Sequence, residues 1–210
     1  MKKRTIALLM AAVMIFGVVT GGTIAWLRAD TNSVENTFTV GNINIELKEH
    51  DYIKDTNSLD DTKEVESEDD YEMVPGRSLP KDPFVRVVAD SEKCWVFVTV
   101  TKSNNFDTFM TFNMDTNWTE VEDNGLTVVY KYNAVVDASS VAQVLNILED
   151  EQVVVRENVT KTQLDDLTAD TYPTLTFKAY AVQSENLPTT LTVSQIWEIA
   201  KTADTSAVSN

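Results

Sequence analysis

The sequence predicts a mainly β protein, an antiparallel β-sandwich that carries two short helices. Apolar residues recur with a period of two along most of the chain, the periodic runs are rich in Val, Thr, Tyr and Phe, and clusters of Pro, Gly, Asn and Asp separate them. Short strands with that spacing, without helices alternating between them, read as a sandwich rather than a β-α-β sheet. With 210 residues and 43% apolar content, the chain has material for one good core.

Lys2, Lys3 and Arg4 open the chain, and no charged residue follows from Thr5 to Leu27. A positive start followed by an apolar run is the layout of an export signal. Thr23-Ile24-Ala25 offers small side chains at the two positions a signal peptidase reads, so residues 1–25 are expected to be removed, with cleavage between Ala25 and Trp26. Leu27-Arg28-Ala29 is a poorer match. Left uncut, the run is also long enough to span a bilayer. In both cases the positive end stays inside and the rest lies outside. The expected location is secreted, extracellular or at the cell surface, with membrane contact only through the signal segment.

Residues 26–36 then form a free amino-terminal segment, and residues 37–201 the sandwich. Phe38 and Val40, then Ile43, Ile45 and Leu47, alternate with polar residues, and Gly41 sits where the phase slips, which predicts a bulge between two strand halves. Between Glu49 and Glu72 eleven acidic residues stand against Lys54 and Lys63, so 49–72 is expected to be a mobile acidic surface loop. Further strands are expected at Phe84–Val88, Cys94–Thr101, Leu126–Val136, Gln152–Val159 and Leu175–Gln183. Pro75-Gly76, Pro80 to Pro83, Asp123-Asn124-Gly125 and Tyr172-Pro173 supply the turns. Val141, Val144, Leu145 and Leu148 fall at i, i+3, i+4 and i+7 of a helix. Ser194 is placed to cap a second helix that holds Ile196, Trp197, Ile199 and Ala200. Residues 202–210 are a small, polar tail without a wall-sorting motif.

Charge narrows the function. The chain carries −16, and removing Met1–Ala25 takes away three positive charges and no negative one, leaving −19. Such a surface repels nucleic-acid phosphates and anionic lipid heads. The acidic loop supplies oxygen ligands of the kind Ca²⁺ takes but lacks the Asp-x-Asp-x-Asp-Gly spacing of a preformed site, so no cofactor or metal is assigned. A solitary cysteine, Cys94, cannot form an internal disulfide, and its alternation with Val96, Val98 and Val100 predicts burial.

Enzyme chemistry finds little support. His50 is the sole histidine, so an H-E-x-x-H zinc site is excluded, and no glycine-rich phosphate loop occurs. A Cys94/His50 pair would need a buried thiol to meet a histidine that reads as exposed on the acidic loop. The chain is therefore read as not an enzyme, with no catalytic residue. Trp95, Phe97, Trp118, Tyr130, Tyr132 and Phe177 read as core, whereas Phe106, Phe109, Phe112 and Trp118, interleaved with Asn and Thr, read alternatively as a contact surface over 106–118.

Gly21-Gly22-Thr23-Ile24-Ala25-Trp26, the stretch Thr31 to Phe38, and Val40-Gly41-Asn42-Ile43-Asn44-Ile45 together resemble the amino terminus of the TasA/camelysin family, exported bacterial proteins processed by a SipW-type signal peptidase. Val74-Pro75-Gly76 leading through Pro83 into a strand fits as well, as does Ala179-Tyr180-Ala181-Val182-Gln183 followed by a helix around Trp197. The resemblance implies a jelly-roll sandwich and a structural role in a biofilm matrix or surface fibre. It implies self-association or association with another matrix protein, besides the signal peptidase met during export. It also implies that cleavage frees a donor strand for the next subunit. Here that position is held by residues 26–36, with Trp26, Leu27 and Val34 as its apolar residues. Part of the family carries a claimed metallopeptidase activity, but with one histidine and no H-E-x-x-H no catalytic residue carries over. The alternative is a monomeric or membrane-tethered surface binding module that uses the acidic loop or the aromatic stretch.

Overall fold

The computed structural model describes residues 42–66 and 71–202, and the backbone of 206–209. Twelve strands follow one another there: β1 (Ile45–Ile53), β2 (Ser58–Val65), β3 (Ser78–Pro80), β4 (Phe84–Val87), β5 (Cys94–Lys102), β6 (Met110–Thr111), β7 (Trp118–Asp123), β8 (Thr127–Tyr132), β9 (Gln143–Asn146), β10 (Gln152–Val155), β11 (Leu175–Gln183) and β12 (Ser206–Ser209). Three helices interrupt them: α1 (Phe106–Phe109), α2 (Lys161–Asp165) and α3 (Val193–Thr202).

All strand pairs are antiparallel. The sheets run β2-β1-β4-β9, β3-β10-β6 and β12-β11-β5-β8-β7. Neighbours distant in sequence, such as β11 on β5 and β4 on β1, require the chain to cross between sheets, which is the Greek-key wiring of a jelly-roll-like sandwich. Leu47, Val85, Val87 and Leu145 of the four-stranded sheet and Leu79, Val153 and Val155 of the three-stranded one form a single buried cluster with Val96, Val98, Val100, Phe177, Ala179 and Ala181 of the five-stranded sheet. Cys94 belongs to that cluster, fully buried as its alternation predicts.

β5 is apolar on both faces, because Phe97 points the other way into a second cluster with Val129, Tyr180, Val182, Trp197 and Ala200. α3 covers this outer face, and the Trp197 ring lies 5.0 Å edge-on from Tyr180 and 5.5 Å from Phe97. The cap differs from expectation. Thr192, not Ser194, starts α3: its hydroxyl accepts from the Gln195 N–H at 3.3 Å, while its own N–H donates to the Gln195 carboxamide at 2.9 Å.

Two glycines sit where the backbone demands them. Gly76, at φ +77°, follows Pro75 in a turn closed by Arg77 N–H on the Val74 carbonyl, the Pro-Gly arrangement of a type II turn. Gly125, at φ +83°, turns β7 into β8, its N–H donating to the Asp123 carboxylate at 2.7 Å.

Three expectations are corrected. The helix over Val141–Leu148 is instead strand β9, paired with β4. Val141 and Val144 are 63% and 54% exposed, and the buried residues are Leu145, Ile147 and Leu148. The alternation of Leu145 and Ile147, backed by a ladder of main-chain bonds, outweighs a helical match that left Ile147 out. The acidic segment is not a loop over its described part: residues 49–53 lie in β1 and 58–65 in β2, joined by a turn at Lys54–Asn57. The aromatic stretch is core, since Phe106, Phe109 and Trp118 are buried and the Trp118 indole N–H donates to the Asn146 carbonyl at 2.7 Å.

Candidate functional site

β11 has β5 along its whole length on one side, in register from Leu175 opposite Lys102 to Gln183 opposite Cys94. On the other side it takes β12, the strand that follows it in the chain after α3, with Phe177, Lys178, Ala179 and Tyr180 opposite Ser209, Val208, Ala207 and Ser206. β12 also lies beside β1. β12 is thus the edge strand of the five-stranded sheet, joined to β11 over four residues by main-chain hydrogen bonds.

The hairpin β1–β2 builds a charged face. β1 pairs with β4 through Ile45–Lys48 and with β2 through Glu49–Ile53, and the register to β2 shifts between His50 and Asp51. Before the shift Leu47 and Glu49 point inward; after it Tyr52 does. Glu49 is thereby carried into the protein, where its carboxylate meets the Lys81 ammonium at 2.7 Å. The same ammonium stands over the Tyr71 ring, 5.1 Å from its centre.

His50 occupies the neighbouring position. Its Nδ1 lies 2.5 Å from one Asp82 carboxylate oxygen, and its main-chain N–H donates to the other at 3.0 Å. The imidazole leans on Phe84, ring centres 5.5 Å apart. The hydrogen bond to Asp82 raises the imidazole pKa above its ordinary value against the opposing effect of burial, with Asp61 and Glu64 adding to the rise. This corrects the expectation of an exposed loop histidine and sets His50 against Asp82 rather than Cys94. Burial pushes the Cys94 thiol up to about 12, which removes it as a ready nucleophile.

Arg86 ties the hairpin to β4. It grips Glu64 with both terminal nitrogens and Glu46 at 3.0 Å, and stacks on Phe84. The guanidinium holds the Glu64 carboxyl below its usual range. The bulge in β2 is closed by Asp60, whose carboxylate accepts from the Thr62 N–H and hydroxyl, lowering the Asp60 pKa. Among the described residues, no group of three or more His, Cys, Asp or Glu side chains converges in a way that would hold a metal ion.

The outer face of the five-stranded sheet is open where α3 does not reach. Thr176, Thr101 and Thr127 form one row across three strands, and Lys178, Thr99 and Val129 form the next. With Trp197 and Lys201 on α3, they border a groove of about 390 Å³. The signal pair Ala25 and Trp26, and the donor residues Trp26, Leu27 and Val34, lie outside the described residues. Among those described, no helix is long and apolar enough to cross a membrane.

Comparison with known proteins leaves the family open. No family model matches the chain, and no curated protein matches it. Among solved structures it is similar to the sixth cohesin of scaffoldin B from Acetivibrio cellulolyticus, solved in complex with a Cel5 dockerin mutant. The TM-score is 0.29 and the identity 9%, over 68% of this chain and 82% of that one. A likeness that low carries no argument about function.

Proposed function

We propose that this chain is an exported structural protein of the cell surface or biofilm matrix, without enzymatic activity, whose subunits join by strand addition at the β11 edge. The observation that carries this reading is the pairing of β12 with β11: a nine-residue strand of the main sheet takes, through main-chain bonds over only four residues, the short strand that follows it in the chain. Two features of the sequence support it. The amino terminus has the layout of an export signal, and cleavage after Ala25 would free an eleven-residue segment, Trp26–Asn36, for such a role. Strand addition at an edge is head-to-tail, and a head-to-tail contact whose rotation does not close repeats into a filament.

The test images the chain beginning at Trp26 beside one beginning at Thr37, by electron microscopy after concentration, with and without calcium. Filaments from the longer form alone are expected. Monomers from both under every condition would overturn the fibre reading. The groove beside Thr99, Thr101 and Lys178 favours a second reading, a monomeric surface module with a ligand in that groove. On that reading Lys178→Glu abolishes binding while neither chain polymerises.

A further inference from the structure

We propose that the groove on the outer face of the five-stranded sheet binds an acidic sugar, one or two rings bearing a carboxylate, with Lys178 as the partner of the carboxylate. This rests on the reading of that groove as a ligand site and adds to it the class of ligand.

Two buried side chains bring uncommitted polar ends to the groove. Trp197 and Tyr180 border it and are only 4% and 8% exposed. Buried indole N–H and phenol groups ordinarily find a hydrogen-bond partner, as Trp118 does at the Asn146 carbonyl. Among the described residues the Trp197 N–H and the Tyr180 hydroxyl have none, and neither atom is sealed from solvent. Both are therefore free to bond a ligand lying there.

Lys178 adds a charge. Its ammonium stands over the Tyr180 ring, 5.1 Å from the centre, and forms no ion pair among the described residues, although the chain holds 33 acidic residues against 17 Lys and Arg. Lys201, across the groove, is already taken by Glu198 at 2.8 Å. One uncommitted ammonium beside two free polar ends suits a single carboxylate. Glu122 stands at the far end of the same row of residues, opposite Val129, and its repulsion weighs against a doubly charged phosphate.

Much of the remaining lining is hydroxyl. Thr176, Thr101 and Thr127 lie side by side across three strands, a row about 10 Å long at about 4.8 Å per strand, the length of two linked sugar rings. Thr101 and Thr127 share one hydrogen bond at 2.9 Å, which leaves their other positions and the Thr176 hydroxyl to a ligand. Threonine hydroxyls donate and accept, as sugar hydroxyls do. Val129 and the rims of the two aromatic rings offer apolar surface to the C–H face of a sugar. A peptide is matched less well, because a strand adds through main-chain bonds at a sheet edge, and this is a sheet face.

Calorimetric titration of the full chain with D-glucuronate, D-glucose and cyclohexanecarboxylate separates the charge from the hydroxyls, since the three rings carry both, the hydroxyls alone and the carboxylate alone. The indole N–H resonance of Trp197, assigned through its contacts with Phe97 and Tyr180, reports whether binding is in the groove. Glucuronate is expected to bind about tenfold to a hundredfold more tightly than glucose, as one charge-assisted hydrogen bond implies, and to move that resonance. Lys178→Met should bring glucuronate down to the level of glucose and leave glucose unchanged. Thr101→Val with Thr176→Val should weaken both sugars about fivefold and spare cyclohexanecarboxylate.

Glucose binding as tightly as glucuronate would overturn the acidic class and leave the groove a ligand site. Cyclohexanecarboxylate binding as tightly would overturn the sugar. Binding that leaves the Trp197 resonance unmoved, or that survives Lys178→Met at full strength, would overturn the assignment of the site. No response to any of the three would overturn the acidic sugar outright, and a screen of small fragments read on the same resonance then decides the groove itself: hits keep it as a ligand site, and their absence sinks that reading too.

Discussion

Lys81 Nζ lies 2.7 Å from Glu49 Oε2, and the two side chains are 11% and 2% exposed. An ion pair so far from water owes its standing to mutual neutralisation, since each charge alone would bear most of its desolvation cost. Glu49→Gln or Lys81→Met should each destabilise the fold by about 3–5 kcal/mol, because either leaves a buried charge without its counterpart. Replacing both residues by Met should restore most or all of the loss. Urea unfolding of the four chains measures the coupling, and additive losses would show that the pair acts as two independent groups.

His50 and Asp82 make the stability of the same corner depend on pH. The folded imidazole pKa is raised, first by the hydrogen bond to Asp82, so the protonated form favours the folded state. That contribution is fully present below about pH 6.5, the unfolded value, and is lost as pH rises through the higher folded value. His50→Gln should therefore cost about 1–3 kcal/mol at about pH 5.5, and clearly less at about pH 9. Equal costs at both pH values would mean that the ring serves by packing on Phe84 alone.

How far the sequence foretold this corner shows where such reading runs out. Strands β4, β5 and β11 were legible because each buries apolar side chains at alternate positions, Cys94 to Val100 in β5 and Phe177 to Ala181 in β11. β2 was not: Ser58–Val65 holds only Leu59 and Val65 as apolar residues, so no periodicity marks it. What makes it a strand is main-chain pairing to β1, with its acidic side chains left in solvent, a familiar protection of an exposed edge. The His50–Asp82 and Glu49–Lys81 pairs join residues 32 positions apart, and reading 49–72 as a loop hid that Glu49 continues the inward alternation of Leu47. β9 was misread for a different reason. Four positions matched a helix, but the two valines among them are exposed and Ile147, outside the match, is core.

Cys94 should resist chemical modification in the folded protein. Its thiol is pushed up to about 12 by burial, so near neutral pH its reactive thiolate is far scarcer than in an unfolded chain. Labelling with iodoacetamide should follow the rate of opening and become rapid only in denaturant. Cys94→Ala should cost far less stability than Cys94→Asp, which would bring a carboxylate among Val96, Val136 and their neighbours. Prompt labelling of native protein would return the thiol to the set of candidate reactive groups.

Trp118 offers the sharpest separation between a contact surface and a core. Its indole N–H donates to the Asn146 carbonyl at 2.7 Å, and its ring meets Tyr132 edge-on at 5.2 Å between centres. The residue thus links the edge strand β7 to β9 of another sheet. Trp118→Ala should lower stability by about 3–5 kcal/mol through lost burial, and Trp118→Phe by less, since it keeps much of the packing and forfeits one hydrogen bond worth about 1 kcal/mol. Thermal unfolding of the two variants checks the order. If Trp118→Ala unfolds at the temperature of the parent, the ring is not holding the sheets together, and residues 106–118 regain their claim as a contact surface. A large loss, with the phenylalanine variant between, ties the stretch to folding.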